Sequence, residues 1–219
     1  MTITILTDSD KSWFIPHGNE LLNNLVKLGH TVFYVHNAAD VVVGDICFLL
    51  SCTKLVSENT LLLNKNNIVV HASDLPKGKG FSPLQWQILE GKKEICLTLF
   101  EVVNAVDAGP FYSKADIQFS GYELYEELRE ILAKKIICMC LEYVQNRDVL
   151  KPIMQVGPES FYKRRTDKDD EIDINKSIYE LFNHFRIADN QNYPLYFNID
   201  GRKYFIRIQS DSNNLNIEK

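Results

Sequence analysis

The sequence lacks the features that several classes of protein require. Its 219 residues include only 10 glycines, and no glycine-rich phosphate loop or dinucleotide fingerprint follows any predicted strand. No apolar run approaches the length of a membrane span. The net charge is −5, without the basic excess that nucleic-acid binding needs. We therefore expect neither a triphosphate nor a dinucleotide ligand, no membrane span and no nucleic-acid partner.

The cysteines argue against a disulfide framework. There are five, an odd number, and they lie in apolar stretches, which is typical of a reducing compartment. Cys138 and Cys140 are spaced as C-x-C, but residues two apart on a helix point to different faces, so we expect no metal site there. The N-terminal apolar run is too short for a secretion signal and has no basic start. We expect a cytoplasmic protein.

Strand and helix patterns alternate along the first 150 residues. Apolar and β-branched runs predict four strands, at 3–7, 31–36, 45–50 and 67–71. Helices are predicted between them at 21–28 and 55–64, a short helix follows at 82–91, and a long one lies within 121–149. Two further strands, 94–103 and 109–119, are predicted to pair. This alternation indicates an α/β, Rossmann-like fold with a mostly parallel sheet flanked by helices.

The chain changes in character after residue 150. A charged segment at 163–171 precedes a predicted helix near 178–185 and strands within 193–208 around an Asp-Gly turn. We predict two domains, 1–150 as the catalytic domain and 151–219 as a small α+β lobe that completes the substrate site. The charged segment fits a solvated loop, and contact with a phosphorylated substrate is the alternative.

One histidine and one aspartate stand where such sheets bind ligands. His71 ends an apolar predicted strand, and ligands of open α/β sheets lie beyond the carboxyl ends of strands. A loop with Gly78, Gly80 and two lysines follows it, and Asp107 lies in a Gly-Pro turn. A carboxylate beside an imidazole fixes the ring tautomer, so we predict an acid–base pair. Taken singly, His71 also fits a core histidine and Asp107 an ordinary turn residue.

The stretch around this pair resembles the signature of 10-formyltetrahydrofolate-dependent formyltransferases. Residues 71–86 follow the pattern H-x-S-x-L-P-x-x-x-G-x-(S/A)-P-x-x-W, and residues 107–110 follow D-x-G-P. Residues 159–173 are similar to the family's post-catalytic segment. The resemblance implies a Rossmann-like formyltransferase fold and metal-free transfer of the formyl group of 10-formyltetrahydrofolate to a primary amine. It also implies that His71 and Asp107 are the catalytic residues.

The sequence departs from the family pattern two residues before the histidine. The family has an asparagine there, which donates to the formyl oxygen, and this chain has Val69. Asn67 lies about 13 Å from His71 along the strand and cannot replace it. We predict that protonated His71, a backbone N–H and Asn104 from the Asp107 turn supply the donors. A weak or inactive relative is the alternative.

Further residues are assigned to the two substrates. The pterin is expected to lie against backbone groups and apolar walls formed by Cys52, Leu55, Leu75, Pro83, Val103, Asn104, Val106 and Asp107. The amino substrate is expected to contact Ser12, Trp13, Lys77 and Lys79. An ordinary packing role also fits Trp13, and solvated positions fit the two lysines equally well.

The resemblance favours a nucleotide-linked amino-dideoxy sugar as the amine. Methionyl-tRNA formyltransferases carry a further RNA-binding domain for which these residues leave no room, and this chain is acidic. The sequences of residues 7–16 and 69–76 are most similar to formyltransferases of pseudaminic-acid-type pathways. This similarity implies UDP-4-amino-4,6-dideoxy-N-acetyl-altrosamine as the substrate. The alternatives are formylation of a carrier-bound aminoacyl group, hydrolysis of the formyl cofactor, and folate binding without catalysis. The oligomeric state is not predicted.

Overall fold

The computed structural model describes residues 1–211 of the chain. Its strands are β1 (Thr2–Leu6), β2 (Thr31–Val35), β3 (Gly44–Leu49), β4 (Asn64–His71), β5 (Lys79–Gly80), β6 (Glu94–Glu101), β7 (Phe111–Gln118), β8 (Phe161–Tyr162), β9 (Leu195–Ile199) and β10 (Arg202–Ile206). Its helices are α1 (Ile15–Lys27), α2 (Glu58–Leu61), α3 (Pro83–Leu89), α4 (Tyr125–Asn146) and α5 (Phe182–Arg186).

A six-stranded sheet in the order β2-β1-β3-β4-β6-β7 organises the molecule. The strands β1 to β4 are parallel, as βαβ crossovers require, and β6 and β7 are antiparallel to their neighbours. The prediction of a mostly parallel, Rossmann-like sheet flanked by helices is confirmed. The paired strands predicted at 94–103 and 109–119 are β6 and β7.

Alternating side chains of the strands build two apolar clusters on opposite faces of the sheet. The larger cluster packs Ile5, Phe48 and Ile68 of the sheet against α1 and α4. The smaller cluster lies on the other face and contains Cys47 and Leu49, with Cys52, Val56, Val69 and Val102 packed at its border. The smaller cluster reaches the strand ends where the ligand site is predicted.

The helix α4 separates the two cysteines of the C-x-C pair. Cys140 is fully buried and Cys138 is exposed, as the spacing of two residues on a helix predicts. Within residues 1–211 no group of three or more histidine, cysteine or acidic side chains is arranged to hold a metal ion. None of the helices in this part of the chain has the length and apolarity needed to cross a membrane.

The chain after α4 returns to the sheet before it forms a small structure of its own. Ile153 forms a β-bridge with Phe111, and β8 pairs in parallel with β5. From residue 172 onward a separate apolar cluster forms, with Leu181, Phe185 and Leu195 at its centre, next to the β9–β10 hairpin. Residues 212–219 of the lobe predicted at 151–219 lie outside the described residues. Its boundary at 150 stays a prediction.

Two predicted helices are shorter in the structure. The helix predicted at 55–64 forms only at Glu58–Leu61, because Ser57 caps it and β4 already begins at Asn64. The side-chain amide of Asn64 binds the Val42 carbonyl in the neighbouring chain segment, which draws this residue into the sheet. The helix predicted near 178–185 occupies Phe182–Arg186, after a turn in which Ser177 caps the segment. In both cases local polar contacts shift the helix start.

Candidate active site

The candidate site lies where the parallel strands β1, β3 and β4 end. The loops that follow β1 and β3 contact each other there. Asp8 in the first loop accepts hydrogen bonds from the backbone N–H groups of Thr53 and Lys54 in the second. The loop of residues 102–110, between β6 and β7, starts beside Asn67, whose carbonyl accepts the Val102 N–H. That loop folds back toward the end of β4. The sheet therefore brings the predicted ligand loops to one edge.

His71 is the last residue of β4 and is 8% exposed. Its Nε2 lies 2.8 Å from the carbonyl oxygen of Gly78. A carbonyl only accepts hydrogen bonds, so Nε2 carries a proton and donates it to Gly78. In the neutral ring Nδ1 then holds the free lone pair, and it has no hydrogen-bond partner among residues 1–211. Nδ1 is therefore the nitrogen able to accept a proton from a substrate.

Asp107 faces the same imidazole from the other loop. Its Oδ2 lies 3.8 Å from Nε2 of His71 and accepts the backbone N–H of Gly80 at 2.8 Å. A separation of 3.8 Å is an ion-pair distance and too long for a hydrogen bond. The expectation that Asp107 fixes the ring tautomer is therefore wrong, because the Gly78 carbonyl does so. Asp107 instead places a carboxylate near the Nε2 side of the ring.

The loop of residues 72–82 is held in place rather than free. Gly78 and Gly80 have positive φ, and a Cβ on Gly80 would lie 2.4 Å from the Tyr162 carbonyl oxygen, so glycine permits the close pairing of β5 and β8. Lys79 is 2% exposed, and its Nζ binds Glu159 Oε1 at 2.6 Å. The expectation that Lys79 reaches a diphosphate is therefore wrong, since burial and Glu159 occupy its ammonium group.

Lys77 is exposed and borders a polar cavity of about 430 Å³ on the outer side of this loop. Four carboxylates also line this cavity, from Asp74, Glu90, Glu94 and Asp116, against the ammonium groups of Lys77 and Lys92. Their excess negative charge repels a diphosphate. The structure therefore gives no support to a phosphate contact by Lys77 at this cavity.

The residues assigned to the pterin divide into two groups. Leu55, Val103 and Val106 are 89%, 41% and 49% exposed on the loops after β3 and β6, where an apolar ligand can cover them. Cys52 lies at the border of the smaller apolar cluster, and burial raises the pKa of its thiol to about 12, so it is neutral. Pro83, partly buried, begins α3.

Leu75 does not belong with these residues. It is 1% exposed, packed beneath the loop of residues 72–82, so its assignment as a wall of the pterin site is wrong in this structure. Its backbone N–H donates to the Thr98 hydroxyl, which in turn donates to the Ser73 carbonyl. Leu75 therefore anchors the loop and does not line the cleft.

Val69 and Asn104 occupy positions that bear on the missing asparagine. Val69 is partly buried on the same face of β4 as His71 and packs into the smaller apolar cluster. Asn104 is exposed on the loop that carries Asp107, and its side chain makes no hydrogen bond to another residue of the described range. Its amide is free to donate to a ligand. That it supplies the missing donor stays a prediction.

The two residues assigned to the substrate before α1 differ in role. The Ser12 hydroxyl donates to Ser51, after β3, at 3.4 Å and so lies at the strand edge of the site. The Trp13 ring packs edge-on against Phe14 and stands 5.2 Å from the Arg129 guanidinium of α4. These contacts fit the packing role of Trp13, and a contact with the substrate stays a prediction.

Several residues of the site escaped the sequence analysis. The carbonyl of Gly78 has no signature in sequence, and Gln155 lies in a segment with no recognisable periodicity. Ser160 lies in the stretch 159–173 that resembles the family, but no role was assigned to it. Gln155 Nε2 donates to the carbonyl oxygens of Asp107 and Gly109 at 2.9 and 2.7 Å, and Gly78 N–H donates to the Ser160 hydroxyl at 2.8 Å. No spacing rule connects residue 155 with residue 107, so only the fold brings them together.

Comparison with known proteins agrees with this arrangement. Residues 34–136 match the family model described as Formyl transferase. The match covers 103 of the 219 residues, just under half of the chain. In sequence it is similar to methionyl-tRNA formyltransferase from Streptococcus agalactiae, with 32% identity over 139 residues, which are 61% of this chain and 42% of that protein. The chain thus spans less than half the length of this relative.

Solved structures share the fold over nearly the whole chain. Methionyl-tRNA formyltransferase from Clostridium thermocellum matches with a TM-score of 0.80 and 22% identity, covering 98% of this chain and 95% of that one. A 4-N formyltransferase from Francisella tularensis matches with a TM-score of 0.71 and 16% identity, covering 95% and 97%. HypX from Aquifex aeolicus, in complex with tetrahydrofolic acid, matches with 0.72 and 15%, covering 94% and 37%. At these identities the likeness shows the formyltransferase fold.

Proposed function

We propose that this protein is an N-formyltransferase that moves the formyl group of 10-formyltetrahydrofolate to the primary amine of a nucleotide-linked amino-dideoxy sugar. The observation that carries the proposal is the pair of His71 and Asp107, 3.8 Å apart at the carboxyl edge of a formyltransferase fold. Exposed apolar side chains fit the flat apolar body of a pterin: Val103 and Val106 on the loop that carries Asp107, and Leu55 on the loop after β3. The neighbours that bind tetrahydrofolic acid or formylate a 4-amino group support both substrate classes.

The chain's own residues perform the proton steps. 10-Formyltetrahydrofolate supplies the electrophilic formyl carbon, to which the amine bonds as the bond to N10 breaks. Nδ1 of His71 accepts the proton from the attacking amine and returns it to the leaving N10, so no net proton is gained. Asp107 stabilises the imidazolium form between these two transfers, since its carboxylate faces the protonated Nε2. Asn104 and a backbone N–H donate to the formyl oxygen as negative charge develops there.

A nucleotide-linked substrate also needs a contact for its phosphates, and Arg164 is placed to supply one. In the charged segment, Lys163 binds Asp169 and Arg165 binds Asp170. Arg164 has no carboxylate partner among residues 1–211. Its guanidinium lies 4.2 Å over the Phe81 ring and donates to the Thr53 carbonyl oxygen at the strand edge. A guanidinium held by stacking at this edge suits a diphosphate.

The test is incubation of the protein with 10-formyltetrahydrofolate and a set of acceptors, followed by mass spectrometry. The set comprises UDP- and dTDP-linked 4-amino and 3-amino sugars, a carrier-bound aminoacyl group and methionyl-tRNA. We expect a mass gain of about 28 Da, that of CO, on an amino sugar alone. Formylation of the aminoacyl carrier or of methionyl-tRNA instead would reassign the substrate. Saturable folate binding with no formylated acceptor would indicate a binding protein.

A further inference from the structure

The segment of residues 153–162, which follows α4, contacts both loops that carry the catalytic pair. At its start, Ile153 and Phe111 exchange backbone hydrogen bonds of 2.8 and 2.9 Å. At its end, β8 pairs with β5, and Ser160 accepts the Gly78 N–H. Between these two anchors lies Gln155. The segment therefore spans the distance from the Asp107 turn to the loop that holds His71.

Gln155 makes the decisive contact within this segment. Its Nε2 donates to the carbonyl oxygens of both Asp107 and Gly109. The orientation of the amide is forced, because a flipped side chain would place its oxygen against two carbonyl oxygens. Oε1 is buried and has no partner among the described residues. Both hydrogen bonds donated by the Gln155 side chain therefore go to the turn that contains Asp107.

That turn needs an external contact. Asp107 has a φ of 47°, in the left-handed region that a residue with a Cβ rarely adopts. Its base is fixed by Gly109, where a Cβ would lie 1.7 Å from the Glu101 carbonyl oxygen. Residues 103–106 above that base are exposed. Apart from the contacts of its carboxylate with the Gly80 N–H and with His71, the Gln155 amide is the polar contact that ties Asp107 to another part of residues 1–211.

We propose that Gln155 is a positioning residue that acts through Asp107, and that the segment of residues 153–162 sets the distance between Asp107 and His71. The proposal rests on the proposed formyl transfer for its kinetic effect, but not for its structural one. Ser160 contributes on the other side, since it holds the backbone of Gly78, whose carbonyl orients the His71 ring. A side chain far along the sequence therefore aligns the catalytic pair.

The test compares Gln155→Glu and Gln155→Ala with the matched control Gln191→Glu. Gln191 is exposed and its side chain makes no hydrogen bond to another described residue, so its change alters charge alone. Gln155→Glu keeps the size of the side chain and removes both donors. We expect kcat/KM to fall about 10- to 100-fold in both Gln155 variants, as for small misplacements of reacting groups, and to stay unchanged in the control. Wild-type kinetics of Gln155→Glu would overturn the proposal.

A double-mutant comparison separates positioning from general stability. If Gln155 acts through Asp107, its substitution in an Asp107→Asn background should lower kcat/KM by less than about threefold more, because the group it positions is already gone. Equal loss in both backgrounds would contradict the proposal.

Hydrogen exchange of residues 102–110 gives a readout independent of turnover, and should be faster in both Gln155 variants than in the wild type or the control. Unchanged exchange rates in both variants would refute the proposed role of Gln155. If the wild type formylates no acceptor, the proposed function fails while this exchange result still decides the role of Gln155.

Discussion

The sheet and the segment that follows α4 are held by different kinds of contact. Residues up to Asn146 fold around the larger apolar cluster, which is buried without directional constraints. The later segment also packs Ile187 into that cluster, but near the site it is attached by polar contacts: Gln155 to the Asp107 turn, Ser160 to Gly78, and Arg186 to Glu123. Apolar burial thus determines the fold, and hydrogen bonds with fixed directions determine the distances at the site. Changes in the two regions should therefore affect different measurements.

Among variants that keep the His71 ring, the largest effect is expected when the charge at the site changes and the hydrogen bond to the Asp107 side chain is kept. Asp107→Asn retains an oxygen that can accept the Gly80 N–H, but removes the negative charge beside His71. We expect kcat/KM for formyl transfer to fall about 10²- to 10³-fold, the usual contribution of acid–base assistance, at unchanged urea stability. Steady-state kinetics and urea unfolding check this together. A variant with normal turnover would remove Asp107 from the mechanism.

The next effect concerns the missing family asparagine. Asn104→Ala should lower kcat about 100-fold, if its amide donates to the formyl oxygen, and leave stability unchanged because the side chain is exposed. Asn59→Ala, an exposed asparagine of α2, is the matched control. A kcat within about twofold of the wild type would assign the donor role to a backbone N–H alone.

The polar attachment of the chain after α4 is tested at Glu123, which precedes that helix. Its carboxylate binds the Arg186 guanidinium at 3.0 Å. Arg186 is 2% exposed, so Glu123→Gln leaves a buried charge without its counter-ion. We expect the free energy of unfolding at pH 7 to fall by about 2–3 kcal/mol, somewhat below the range for fully buried pairs. Urea unfolding measures this difference.

The Glu123 carboxyl also predicts a pH dependence of stability. Burial acts to raise the pKa of Glu123, but hydrogen bonds from Ser120 and Gly121 outweigh it and lower that pKa to about 2 from the ordinary 4.5. A carboxyl with a lowered pKa contributes stability above its unfolded pKa and loses it as the pH falls through the folded value. The difference in unfolding free energy between the wild type and Glu123→Gln should therefore be constant above about pH 5 and shrink toward about pH 2. A difference that persists at pH 2 would contradict the assignment.

The smallest effect is expected for an exposed ion pair within one helix, which does not connect two parts of the chain. Lys134 and Glu130 of α4 form an i,i+4 pair at 3.0 Å, with side chains 66% and 49% exposed. Lys134→Ala should change the free energy of unfolding by less than about 0.5 kcal/mol. A loss as large as that of Glu123→Gln would show that surface and attachment pairs do not differ.

The sequence predicted the parallel sheet because each of its strands is a short apolar run followed by a helix or a loop. It also predicted that His71 and Asp107 meet, since both stand at turns beside strands of one sheet. The predictions for Lys79 and Leu75 failed. Their loop is rich in glycine, which in sequence indicates a mobile loop, but in the fold it packs against the distant strand β8. Nothing in the sequence indicated Gln155 either. Contacts between residues 48 positions apart depend on the path of the chain, and no local pattern records that path.

The most direct measurement is the turnover of His71→Ala, with the wild type beside it and urea unfolding of both as a check of the fold. The account predicts that formyl transfer falls more than about 1,000-fold, since the nitrogen that accepts the amine proton is gone. It also predicts a cooperative unfolding transition in both proteins. Near-normal turnover by a folded His71→Ala protein would contradict it.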